Sequence, residues 1–182
     1  MNQSASRSGA LEQEAFDTWP PQIQTLLDGA SLASKEGFTA SLLVVDAKGQ
    51  LRTTLLGIGE LFAPDPLTVC FALWSHSRAA RALMQGGRAG LTFVEGEAFY
   101  QIQLKVEPLP ELDGEDGETA LARFAGTIEI GEMQRVRYAR LTHGISFELE
   151  AEEKHATLER WQAQIAGLKQ AAAALPRAEG AE

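Results

Sequence analysis

The chain has 182 residues, enough for one domain with a real core, and its formal net charge of -9 argues against broad nucleic-acid binding. No run approaches the ~18 consecutive apolar residues of a membrane span, and the N-terminus lacks the apolar stretch of a secretory signal, so a cytoplasmic protein is expected. The single cysteine, Cys70, lies in the apolar run "LTVCFAL", where it reads as a small buried hydrophobe; no disulfide, thiolate or zinc site is expected.

Residues 1–18 are polar and small and are expected to be flexible. Pro20 and Pro21 suit a helix start, and Ile23, Leu26, Leu27 and Ala30 recur at helical spacing, which predicts a helix over 21–33. "FTASLLVVDAKGQLRTTLLGIGE" predicts a hairpin: strands over 38–45 and 51–58 joined by the "DAKG" turn, with Gly49 free to take positive φ. "PDP" at 64–66 reads as a loop, and "LTVCFALW" at 67–74 as a central strand.

"SHSRAARALMQGG" predicts a short helix closed by Gly86 and Gly87, followed by strands over 89–96 and 97–109. The acidic "ELDGEDGE" lacks the ordered spacing of a calcium loop and reads as solvated, leading into a helix near 117–125. A last strand is expected over 144–150. A long helix then runs from about 152, with Leu158, Trp161, Ile165 and Leu168 in one apolar stripe, and residues 176–182 form a flexible tail. The strands outnumber the crossovers that a parallel sheet needs. The expected fold is α+β: a mostly antiparallel barrel over 19–150 with flanking helices, and a C-terminal helix over 151–175 packed on the barrel or on a partner.

Residues 66–94 contain no Asp or Glu, although 25 acids in 182 residues would put about four in those 29 positions; the same window holds Arg78, Arg81 and Arg88. Ser77 is a good N-cap, with Ser75 and His76 beside it. An arginine in a first helical turn opposes the macrodipole unless an anion is present, so this helix start is a candidate phosphate or carboxylate site. Its competitor is a plain capped helix with Arg78 and Arg81 in solvent. His143 and His155 read as surface residues.

The hairpin "LLVVDAKGQLRTTLLG", the run "VCFALWSHSRAARAL" and the pair "AGLTFVEGEAFYQIQLKVEPL" together resemble the FMN-binding split-barrel proteins of the pyridoxamine phosphate oxidase-like superfamily, over roughly residues 22–150. The resemblance implies an antiparallel split β-barrel and an FMN cofactor. It implies that Arg52 lies near the FMN, that the backbone of Thr53, Thr54 and Leu55 faces the isoalloxazine ring, and that Ser77 and Arg78 hold the phosphate. It also implies that Gln101 or the adjacent Tyr100 stands by the flavin. Ser75, as a donor at the helix start, and Trp74, at the strand end before it, are further candidate cofactor contacts read from their positions; packing on a partner chain or in the core is the other reading of Trp74.

Departures from the family pattern are Ala79 where a lysine is usual, Gly57 where a lysine is often found, and a C-terminal helix in place of the arginine- and proline-containing segment of true pyridoxamine phosphate oxidases. The reading is therefore a homodimeric flavin-dependent oxidoreductase, not a true pyridoxamine phosphate oxidase, acting on a small-molecule substrate with reduced nicotinamide as a candidate donor. The alternative is a non-catalytic split barrel that holds flavin or haem.

Overall fold

The computed structural model describes residues 11–112 and 120–175. Eight strands form one sheet: β1 Leu11–Phe16, β2 Thr39–Val45, β3 Leu51–Gly57, β4 Leu61–Asp65, β5 Thr68–Trp74, β6 Gly87–Glu95, β7 Ala98–Pro108 and β8 Leu121–Val136. Among the described residues three α-helices accompany them: α1 Pro21–Leu26, α2 Arg78–Leu83 and α3 Lys154–Ala172. The strand order is β3-β2-β6-β7-β8-β5-β4, with β1 also paired to β8, and every pairing is antiparallel. The expected α+β architecture, a mostly antiparallel barrel-like sheet with a long C-terminal helix, is the observed one.

The β2–β3 hairpin forms as its sequence dictates. Asp46 Oδ1 accepts from the backbone N–H of both Lys48 and Gln50 at 2.9 Å, and Gly49 takes φ +74°, where a side chain would be strained. The β6–β7 connection is a tight two-residue turn with both Gly96 and Glu97 at positive φ, the twist that suits a right-handed sheet.

Several local expectations are corrected. Residues 11–16, expected to be flexible, form β1 along the second half of β8, from Leu11 opposite Val136 to Phe16 opposite Gly131. The helix expected over 21–33 stops at Leu26, and the chain turns at Gly29 (φ +68°) so that the Leu27 carbonyl accepts from Ala63 N–H. Residues 64–66 are not a simple loop: β4 runs through Asp65.

The helix expected near 117–125 is not seen over its described part, because residues 121–136 are one 16-residue strand. Its two glycines look like breaks in a strand, yet each admits a neighbour. A Cβ on Gly126 would stand 3.0 Å from a Leu104 methyl, and one on Gly131 would stand 2.1 Å from the Phe16 ring. Glu129 is the extra residue of a bulge opposite Gln103 and Leu104, which bends the strand so that β5 pairs with its first half and β1 with its second. The strand expected over 144–150 is absent; that stretch is irregular despite its alternating Ile145, Phe147 and Leu149. The segments at 1–10 and 176–182, and most of the acidic run, lie outside the described residues.

The core is filled by alternate strand residues such as Leu42, Phe71, Leu91, Ile102, Leu104 and Phe124, all fully buried. The predicted α3 stripe holds: Trp161, Ile165 and Leu168 are buried and Leu158 packs at the margin. Trp161 sits against Gly59 so closely that a Cβ there would lie 2.1 Å from the indole. Cys70 is buried, and burial pushes its thiol up to about 12.

Candidate functional site

The β2–β3 turn and the start of α2 meet at one end of the sheet. α2 begins there because Ser77 caps it: the Ser77 hydroxyl accepts from Ala80 N–H at 3.0 Å, and Ala79, Ala80 and Leu83 face inward and are buried. That orientation turns Arg78, Arg81 and Ala82 toward the hairpin turn. The result is a cleft of about 400 Å³ lined by Lys48, Arg52, Arg78 and Arg81, with Asp46, Ala47 and Ala82. Four cationic side chains face one carboxylate in a protein whose overall charge is strongly negative. Such a concentration of one sign in a cleft attracts anions.

Asp46 is already engaged. Its Oδ2 lies 2.9 Å from the Arg52 guanidinium, while Oδ1 holds the turn. The hydrogen bond from Gln50 N–H, with those from Arg52 and Lys48, holds the Asp46 carboxyl below the usual 3.8 in spite of some desolvation. Arg78 and Arg81 have no ion pair among the described residues.

Register separates the residues expected around a flavin into two groups. Arg52 and Thr54 stand opposite Val44 and Leu42, whose side chains are buried, so they share the inward face with α2. Thr53 and Leu55 alternate to the outward face. There two rows run across five strands: Leu55–Ser41–Thr92–Gln101–Glu132 and Thr53–Leu43–Gly90–Gln103–Ile130. Gln101 therefore stands on the open face, whereas Tyr100 is buried against Phe93 with ring centroids 5.0 Å apart. β3 ends the sheet on its side, so its outer main-chain groups have no strand partner among the described residues.

Ser75 and Trp74 do not join the cationic cleft. Ser75 lines a separate cavity of about 450 Å³ with His76, Met84, Leu109 and Arg123, and its buried hydroxyl makes no hydrogen bond among the described residues. Trp74 ends β5 opposite Leu121 and is 51% exposed. Lys48 and Asp46 were missed by the sequence reading as site residues. The signal was available: a turn with an aspartate and a lysine two residues apart, leading into a strand that begins Leu51-Arg52. Only its position beside α2, a tertiary fact, makes it part of a site.

Among the described residues no group of three or more His, Cys, Asp and Glu side chains is placed to hold a metal, and no helix is long and apolar enough to cross a membrane.

No family model matches the sequence. The chain is 29% identical over 144 residues to the uncharacterized protein YclD of Bacillus subtilis, covering 79% of this chain and 91% of that one. Among solved structures it is similar to a protein related to general stress protein 26, of the pyridoxinephosphate oxidase family, from Clostridium acetobutylicum (12% identity, 69% of this chain and 95% of that one, TM-score 0.44). It is similar also to the styrene monooxygenase flavin reductase of Pseudomonas putida S12 (15%, 63% and 93%, TM-score 0.39) and to HutZ, the haem storage protein of Vibrio cholerae (15%, 60% and 91%, TM-score 0.41).

Proposed function

We propose that this protein binds FMN and works as a homodimeric, flavin-dependent oxidoreductase on a small-molecule substrate, with reduced nicotinamide as the candidate donor. The observation that carries the reading is the cleft in which Arg52 from β3 and Arg78 and Arg81 from α2 converge with Lys48. A phosphate monoester is dianionic near neutral pH and takes charge-assisted hydrogen bonds from such groups. Ala79, where the resembled family usually has a lysine, is buried on the inner side of α2, and Arg81 and Lys48 supply the missing charge instead. The donor set therefore fits the phosphate of FMN. When bound, the flavin supplies the redox chemistry; this chain supplies position and charge. The outward face, with Thr53, Leu55 and Gln101, offers a mixed apolar and amide-bearing surface for a ring system and for a second subunit.

The test is a pair of titrations. Losing one charged hydrogen bond costs about 1.5–3 kcal/mol, so Arg78→Ala is expected to weaken FMN binding roughly tenfold to a hundredfold. Riboflavin, which has no phosphate, should bind wild type and variant alike. Equal losses for both ligands, or none for FMN, would refute the phosphate site. The absorption spectrum of the purified protein separates the alternatives: a flavin band supports the proposal, and a Soret band points to haem.

A further inference from the structure

Ser75 and Arg78 stand three residues apart, on either side of the Ser77 cap, and end in different surroundings. Arg78 lines the cationic cleft. Ser75 lines the second cavity, of about 450 Å³, where the C-cap of α2, the chain leaving β7 and the start of β8 come together. The two hollows share no lining residue. Met84, Leu109, Leu112, Leu121 and Ala122 give the second one hydrocarbon walls, and His76 and Glu111 are its solvent-exposed polar members.

The main chain beside this cavity is satisfied. Ser75 N–H donates to the Ala120 carbonyl at 3.0 Å, and Leu109 N–H donates to the Arg123 carbonyl at 2.8 Å. The Ser75 hydroxyl is not: it is sheltered from solvent and makes no hydrogen bond among the described residues. It is not needed for the helix start either, because Ser77 caps α2. A buried hydroxyl without a partner is unfavourable, so one kept in a cavity wall points to a partner from outside the chain. Arg123 belongs to the wall as well, but it pairs with Ala72 while Ala122 pairs with Leu73, so it falls on the opposite face of the sheet from Ser75. Its guanidinium lies at α3, where a Cβ on Gly167 would stand 2.7 Å from Nη2. What Ser75 shares its cavity with is hydrocarbon. One water would satisfy the hydroxyl but would leave most of the volume unfilled, and water against such walls is displaced with a gain by an apolar group.

We infer that this cavity is a binding site for a small, uncharged ring compound that buries its hydrocarbon against Met84, Leu109 and Leu121 and pairs one hydroxyl with Ser75 Oγ. The volume falls among those of small-molecule sites, roughly 300–1,000 Å³. The combination of apolar walls and one placed polar group holds such a ligand and fixes its orientation. Met84, unbranched and half exposed at the end of α2, is a wall that adapts to a ring. The site stands apart from the anion cleft, so the inference does not depend on FMN.

The probe is 2-naphthol, a fused two-ring alcohol that is neutral at pH 7, with naphthalene as the partner that lacks the hydroxyl. Both are titrated into protein labelled at its methionine methyl groups. The chain has three methionines, and Met84→Leu identifies the Met84 signal. The expected result is a saturable shift of that signal with 2-naphthol. Ser75→Ala should weaken 2-naphthol roughly two- to tenfold, the yield of one uncharged hydrogen bond, and leave naphthalene unchanged. Arg78→Ala should leave both unchanged. The absence of a saturable Met84 shift in wild type overturns the inference, whether or not Ser75→Ala folds. Equal losses of both probes in Ser75→Ala overturn the role of the hydroxyl and with it the proposed ligand class. Displacement of 2-naphthol by FMN would make the cavity part of the flavin site, which overturns the inference and leaves the FMN reading standing.

Discussion

The Arg52 guanidinium and the Asp46 carboxylate face each other at 2.9 Å across the mouth of the cationic cleft, and the same carboxylate closes the hairpin turn through Lys48 and Gln50. Asp46 thus has two roles that act against each other. It organises the turn that delivers Lys48 and Arg52, and it neutralises part of the charge that an incoming phosphate would use.

Asp46→Asn separates these roles. The amide oxygen can still accept the two backbone N–H groups, while the charge that occupies Arg52 is gone. FMN affinity is expected to rise severalfold, with a modestly lower melting temperature at neutral pH, because a carboxyl held below its usual value favours the fold in its ionised form. Asp46→Ala should lose the turn and bind no better. Titration of both variants, with thermal melts alongside, checks the pair; an Asn variant that folds but binds FMN no better than wild type would show that Arg52 takes no part in the anion site.

Screening gives a second handle on the cleft. A site built from charge on solvent-facing side chains weakens with salt, because ions screen it over about 8–10 Å at 0.1–0.15 M. FMN affinity is expected to fall as sodium chloride rises from 50 to 500 mM, while riboflavin affinity stays nearly level. The same salt series on Arg81→Ala should show a shallower dependence for FMN. Parallel slopes for both flavins in wild type would place the phosphate elsewhere.

The outline of the fold was legible because its local signals agree with its tertiary structure. The β2–β3 turn, the capped start of α2 and the α3 stripe each follow from a few neighbouring residues. The errors fall where a distant contact decides. Gly126 and Gly131 look like strand breakers until Leu104 and Phe16 are seen to occupy the space that a side chain would need. The alternation at 145–149 suggests a strand, but the segment crosses the end of β6 instead of running beside a strand, so its pattern has no ladder to join.

The site divides the same way. Arg78 stood out because a cation in a first helical turn is locally unfavourable. The choice between Gln101 and Tyr100 needed register, which shifts every side chain to the other face with a one-residue slip. Ser75, three residues from Arg78, went to a different cavity because the chain turns between them.

Trp161 and Gly59 form a second tight pair, on the far side of the molecule from the cleft. Trp161 is 5% exposed, and Trp161→Ala is expected to cost roughly 3–5 kcal/mol as a large core truncation. Gly59→Ala should also destabilise, since its methyl would enter the indole. In the double variant the methyl meets the space that the ring has left, so the two losses should sum to less than their separate values. Chemical denaturation of the four proteins gives the coupling; strict additivity would mean that α3 shifts to accommodate the methyl.

Glu60 carries the last prediction. It ends the short 3-10 turn Ile58–Glu60 that follows β3 and packs against α3, with its Oε2 accepting from Gly57 N–H at 2.7 Å. Burial raises its carboxyl above the ordinary 4.5, and the Gly57 hydrogen bond and the nearby Arg160 only partly oppose this. A carboxyl whose folded pKa is raised binds its proton more tightly in the folded state than in the unfolded one. Its stabilising contribution is therefore fully present below pH 4.5 and is lost as pH rises through the raised folded value. Glu60→Gln keeps an oxygen for Gly57 N–H and carries no charge to desolvate. Relative to wild type it should be the more stable protein at pH 7, with the advantage shrinking as pH falls toward 4.5 and gone below it. Urea denaturation of both proteins at pH 4, 5, 6 and 7 measures the difference. A Gln variant that is less stable at pH 7, with the gap closing on acidification, would mean that attraction to Arg160 outweighs the burial of the charge.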